Sequence, residues 1–212
     1  MKKALFIAGG WDGHQPERFA QILSDALTPA GFDCELATEL SILDDAARLA
    51  TFNLICPCWT MGTLTEAQSR NLQDTVRGGV GLGGIHGGMG DAFRGNHDYE
   101  WMVGGHFVGH PHVGSYTVRL RDCASPITQG LPQEFSYQSE QYYMLIDPAV
   151  QVLADAEYLY DGNSCTMPVA WVRQWGAGRV FYSALGHAPE EFTAHPASLE
   201  LALQGMRWAA RG

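Results

Sequence analysis

The 212-residue chain is 46% hydrophobic and 17% charged, a globular composition with enough apolar matter for one α/β core. Its formal net charge is -10 and its 13 Lys and Arg residues form no basic run, so nucleic acid is not an expected partner. No apolar stretch approaches the ~20 residues that span a bilayer, and five cysteines without a framework argue against a secreted disulfide scaffold.

In chain order, Lys3 to Ala8 is a continuous apolar run, as expected of a strand covered on both faces. Its apolar part, Ala4 to Ala8, is too short for the core of a signal peptide and runs into Gly9, Gly10 and Asp12, so the chain reads as cytoplasmic. Pro16 and Glu17 suit a first helical turn, and Phe19, Ile22, Leu23, Ala26 and Leu27 recur at helical spacing. Phe32 to Ala37 and Asn53 to Cys56 read as the next strands. Thr63 with Glu66, or Thr65 with Gln68, offers a capping box for a helix that ends at Gly78 as its C′ residue. Val80 to Ile85 is a fourth strand. Cys34, Cys56, Cys58, Cys123 and Cys165 read as small buried thiols at strand ends, since Cys56-Pro57-Cys58 has no second pair to complete a zinc site.

Met89 to Pro132 is rich in Gly, His and aromatic residues and reads as loops, with one strand at Tyr116 to Leu120. Val169 to Trp175 and Arg179 to Ala184 flank Gly176-Ala177-Gly178, a hairpin signal. Pro196 opens a last helix, with Leu199, Ala202, Leu203 and Met206 on its apolar face. Strands alternating with helices predict a flavodoxin-like, doubly wound, mostly parallel sheet with a C-terminal antiparallel hairpin, in one domain over 1–212. Ligands of such sheets bind beyond the carboxyl ends of the strands.

Five constellations fall at or near those ends. After strand one, Gly9-Gly10 lets a ligand approach the backbone, with Trp11 as an apolar wall and Asp12 and His14 as polar contacts. Gly79-x-Gly81-x-x-Gly84 matches a dinucleotide fingerprint in letters only, because its glycines lie before and within the strand rather than after it. Gly84-Ile85-His86-Gly87-Gly88 instead has the form of a nucleophile elbow, a strained turn that lifts one side chain above the sheet. An imidazole there serves as general acid or base, or as a metal ligand, rather than as an acyl-forming nucleophile.

The stretch His97 to His112 carries Asp98, Trp101, His106, His110 and His112. His106 and His110 are spaced for one helix face, but Gly104, Gly105, Gly109 and Pro111 oppose a helix. A loop bringing Asp98 and Trp101 over the pocket is expected, with His110 as a further contact. Glu140, in Ser139-Glu140-Gln141-Tyr142-Tyr143, can act as acid or base or orient a histidine. His187 lies just past the end of a predicted strand, while His195 reads as a helix-start residue.

GGWDGHQP, GGVGLGGIHGG, DYEWMVGGHFVGHP, SPITQGLPQEF, SEQYYM and GRVFYSALGH, in this order, resemble the trehalose-utilisation (ThuA-like) family over roughly residues 3–210. The resemblance implies a class I glutamine amidotransferase-like fold, in which the elbow normally holds cysteine. It also implies a role in catabolism of trehalose or related disaccharides and their keto derivatives, with a sugar oxidoreductase as pathway partner. The family often has Asp-Glu where this chain has Ser139-Glu140, leaving one carboxylate fewer. The expected function is therefore carbohydrate processing, not glutamine hydrolysis. His86, His187 and Glu140 are the catalytic candidates, and Trp11, Asp12, His14, Asp98, Trp101 and His110 hold the sugar. A divalent metal such as zinc is the variant cofactor, and a homodimer is compatible with this reading. The alternative is a non-catalytic sugar-sensing or partner-binding module on the same scaffold.

Overall fold

In β1 (Lys2–Gly10), Leu5 and Ile7 enter one hydrophobic cluster while Ala4, Phe6 and Ala8 enter another. A strand buried on both faces in this way must lie inside a sheet with helices on each side. The computed structural model describes residues 1–121 and 125–212, so Cys123 lies outside the described residues. After β1 come α1 (Pro16–Leu27), β2 (Phe32–Ala37), α2 (Ala46–Leu49), β3 (Leu54–Thr60), α3 (Glu66–Arg77) and β4 (Gly81–Ile85). The chain continues through α4 (His86–Gly90), α5 (His97–Val103), β5 (Gly105–Leu120), β6 (Glu134–Ile146), β7 (Gln151–Tyr160), β8 (Asn163–Trp175), β9 (Gly178–Ser183), α6 (Glu191–Ala194) and α7 (Pro196–Ala209).

The described strands form one mixed sheet in the order β2-β1-β3-β4-β9-β8-β7-β5-β6. The first five of these run parallel, and from β9 through β6 every pairing is antiparallel. The β8–β9 hairpin is present, but the antiparallel half extends well beyond it. α1 and α7 pack on one face with Phe19, Leu23, Leu201 and Met206. α3 and α5 cover the other with Leu72, Val76, Tyr99 and Met102.

Local signals act largely as the sequence implies. Thr65 and Gln68, not Thr63 and Glu66, form the capping box of α3. That helix runs one residue further than expected: Gly78 is its right-handed C-cap, and the positive φ of 113° falls on Gly79. The glycines of β4 answer to packing rather than to a nucleotide. A Cβ at Gly81 would run into the Ala209 carbonyl, and one at Gly84 would meet the Met89 side chain. Cys56 and Cys58 are buried in β3, whereas Cys165 is exposed, contrary to the expectation for all five.

The segment read as loops differs most. It holds α5, capped by Asn96, and a 16-residue strand, β5, in place of the short strand at Tyr116 to Leu120. β5 pairs with β6 along almost its whole length, with register shifts at Phe107/Gly109 and Gly109/His112. Those irregularities bend the ribbon. In a flat sheet, β6 would lie about 24 Å from β4, at ~4.8 Å per strand. Glu140 of β6 nevertheless comes within 3.3 Å of His86 beside β4, so the ribbon folds back over the carboxyl edge.

Candidate functional site

Four parallel strands deliver residues to one edge. β1 leads into a 3-10 turn, Asp12–His14, that places His14 there; β3 ends at Thr60, β4 runs into His86, and β9 runs towards His187. His86 takes φ 43°, a left-handed conformation that is strained for a side chain with a Cβ, at a cost of about 1–2 kcal/mol. This is the elbow, and Gly88 allows it: a Cβ there would sit 3.1 Å from the Cα of Cys58.

The His86 Nδ1 atom lies 2.8 Å from the Ala184 carbonyl, which can only accept, so Nδ1 carries the hydrogen. In the neutral ring, Nε2 then presents a lone pair, and it stands 3.3 Å from Glu140 Oε2. His187 Nδ1 is also 3.3 Å from Glu140 Oε2, and His110 Nε2 is 3.6 Å from Oε1. These are ion-pair distances without hydrogen-bond alignment: His86 Nε2 and His187 Nδ1 are buried with no hydrogen-bond partner among the described residues. His14 completes the group, its Nδ1 hydrogen-bonded to the Thr60 hydroxyl at 2.7 Å. Its ring lies 5.0 Å from that of His86 and 5.2 Å from that of His187.

The protonation states are complementary. Burial, followed by the charges of His86 and His187, pushes His14 down to about 3, so it is neutral. Burial acts to raise the Glu140 carboxyl, but the facing His187 and His86 rings outweigh it and hold the group well below the usual carboxylate range. The same carboxylate beside His187 raises that imidazole against the opposing effect of its own burial. One donor atom from each of His14, His86, Glu140 and His187 lies within 4.8 Å of all the others, so the cluster could hold a metal ion.

Access is one-sided. The His86 side chain is 2% exposed, against 31% for His187 and 42% for His110. The cavity beneath the elbow, beside Thr60 and Phe19, is only about 20 Å³, roughly one water. The more open side of the cluster is that of His187, His110 and Trp11, where Trp11 stands edge-on to His14 at 4.8 Å.

The structure thus brings together His14, His86, Glu140 and His187, with His110 and Trp11 at the rim. It does not bring Asp98 or Trp101 to them. Asp12 is exposed in its turn. Asp98 faces a surface groove shared with α3, and Trp101 packs edge-on against Trp175 at 5.5 Å. Both lie on α5, so no loop carries them over the pocket. His195 caps the start of α7 and packs on Tyr137.

Sequence reasoning missed three supports. Tyr142 stacks on His86 at 3.9 Å, two residues along β6 from Glu140, as strand alternation requires. Thr60 orients His14 from the end of β3. Glu191 accepts from Tyr137 Oη (2.5 Å), Ser139 Oγ (2.8 Å) and the His187 backbone N–H (3.0 Å), tying the His187 loop to β6. Neighbouring Glu190 instead pairs with Arg18 at the surface.

Fold and site together define an α/β protein with a mixed sheet whose elbow carries histidine. The chain belongs to the ThuA (trehalose utilisation) family, which it matches over residues 3–209. It is similar to a ThuA-like protein of Bacteroides uniformis, with a TM-score of 0.80, 21% identity, and 98% of this chain and 91% of that one covered. A ThuA-like protein of Parabacteroides merdae gives a TM-score of 0.79 at 19% identity, covering 98% and 89%. The fold also recurs within a beta-galactosidase of Bacillus circulans sp. alkalophilus, at a TM-score of 0.61 and 14% identity, covering 98% of this chain and 30% of that one. No curated protein matches the chain. Among the described residues, no helix is long and apolar enough to cross a membrane.

Proposed function

We propose that the chain is a metal-assisted enzyme of carbohydrate catabolism acting on a keto-sugar or related disaccharide, with His14, His86 and Glu140 as ligands and His187 as proton carrier. The observation that carries this reading is the pair of buried, unpartnered ring nitrogens converging on an ionised carboxylate. The donor set fits a divalent metal of the zinc class: imidazole and carboxylate, with an outer partner already fixing two rings. His86 gives its Nδ1 hydrogen to Ala184 and leaves Nε2 free, while Thr60 holds His14. Three protein ligands leave an open position, as catalytic sites require.

A bound metal would polarise a substrate carbonyl as a Lewis acid. Glu140 stays ionised and holds the His187 ring in place. His187, the most exposed of the four, exchanges a proton with a hydroxyl or with the carbon beside a carbonyl. Trp11 and His110 border the ring of the sugar. A sugar oxidoreductase supplying the keto-sugar is the corresponding pathway partner, and the setting is cytoplasmic.

The test is turnover of trehalose and keto-glycosides by the purified protein and by His187→Gln. The proposal expects the variant to lose more than ~100-fold in turnover while retaining substrate affinity. Equal turnover in both proteins removes His187 from the chemistry. Sugar binding without any turnover supports the non-catalytic sensing module instead.

A further inference from the structure

The antiparallel half of the sheet carries a second concavity, outside the His/Glu cluster. It is a groove of about 530 Å³ between the bulged part of β5, β6 and the tip of the β7–β8 hairpin. Small-molecule sites span roughly 300–1,000 Å³. Its walls include Val108, Tyr143, Tyr158, Tyr160, Asn163 and Ser164.

Two features point to an occupant. Tyr143 and Tyr160 are 37% and 60% exposed and leave aromatic surface open to solvent, with Tyr143 packed at 5.5 Å on the buried ring of Tyr158. Tyr158 itself is only 3% exposed, yet its hydroxyl is buried with no hydrogen-bond partner among the described residues. A buried hydroxyl without a partner is uncommon in a native structure. Aromatic faces, an unpaired hydroxyl and an amide and hydroxyl rim from Asn163 and Ser164 together match a pyranose, which has apolar C–H faces and a ring of hydroxyl edges.

The groove is also wired to the catalytic edge. Gly109 and Pro111 line it, and between them His110 reaches Glu140. Tyr143 pairs with Gly109 across the ribbon, while its neighbour Tyr142 stacks on His86. Adjacent residues of the same two strands thus serve the groove and the cluster.

We infer that this groove is a second, non-catalytic binding site for a pyranose-containing sugar, on the same ribbon that carries Glu140. It does not depend on the metal or on turnover, so it can fail or stand separately from the proposed reaction.

Cys165 lines the groove and is exposed, whereas Cys56 and Cys58 are buried, so it reports occupancy. The experiment is alkylation of the full-length protein with iodoacetamide, following the Cys165 peptide by mass spectrometry with glucose, trehalose or cellobiose present at millimolar concentration. At least one of these sugars should slow Cys165 alkylation fivefold or more. Tyr160→Ala should abolish the protection, Tyr158→Phe should weaken it, and His187→Gln should leave it intact. Failure of all three sugars to protect, or equal protection in Tyr160→Ala, overturns the inference. So does protection that rises with protein concentration in the absence of sugar, since the groove is then a contact between copies of the chain.

Discussion

His86 and Ala184, 98 residues apart in the chain, are joined by a 2.8 Å hydrogen bond from the ring Nδ1–H to the backbone carbonyl. This bond sets the tautomer and turns Nε2 towards Glu140. It links the turn after β4 to the segment after β9, and so ties the elbow to the loop that carries His187.

The strain at the elbow has a measurable consequence. Because His86 sits at φ 43°, His86→Gly should be more stable than His86→Ala by about 1–2 kcal/mol, although both lose the imidazole. Urea denaturation of the two variants checks this. Equal midpoints would mean the backbone there relaxes freely.

In protein stripped of metal, His187 should titrate above its ordinary 6.5 because Glu140 faces it. Glu140→Gln removes that partner and leaves burial opposed only by the lesser effect of Glu191, so the value should fall. Proton NMR of the ring follows both. The stability contributions have opposite signs in pH. That of His187 is complete below 6.5 and is lost as pH rises through the raised folded value. That of Glu140 is complete above 4.5 and is lost as pH falls towards its depressed value. The pair therefore stabilises most between 4.5 and 6.5, the window in which Glu140→Gln should cost most.

His14 works against the fold in acid. Burial and the nearby His86 and His187 lower it from 6.5 to about 3, so across that range the unfolded chain binds a proton that the folded chain does not. Stability should drop as pH falls through this window, and His14→Gln should flatten the drop. Urea midpoints at a series of pH values report it; parallel curves for both proteins would count against a neutral His14.

Much of this was legible in the residues, and the reasons differ by element. Phe32–Ala37 is a strand with the expected bounds because its signals are local. The elbow at His86 followed from small residues flanking a strand end, and the position of His187 from its place just past a strand together with the family resemblance. β5 was not legible: Gly105, Gly109, Pro111 and Gly114 read as loop, and the strand persists through its pairing with β6, a non-local effect. α5 carried a local signal that went unread, an Asn96 cap on Tyr99 N–H and a left-handed Gly104. Missing it put Asp98 and Trp101 over the pocket, where they are not. The convergence of His14, His86, Glu140 and His187 needed the ribbon to fold back, which no single segment encodes.

Glu191 predicts a structural variant distinct from those of the His/Glu cluster. Removing its carboxylate takes partners from Tyr137, Ser139 and the His187 backbone at once. Glu191→Ala should lower stability by about 2 kcal/mol, the scale of hydrogen bonds to a charged group. It should also broaden the His187 NMR resonance. Unchanged stability and line width would show that the loop is held by other contacts.

The most direct measurement is the metal content of untagged protein at neutral pH, before and after addition of zinc, for the wild type and for His86→Ala. The account predicts close to one equivalent in the wild type, taken up with release of a proton from the His187–Glu140 pair, and a 10-fold or greater loss of affinity in the variant. A wild-type protein that holds no metal even after zinc is added would contradict it.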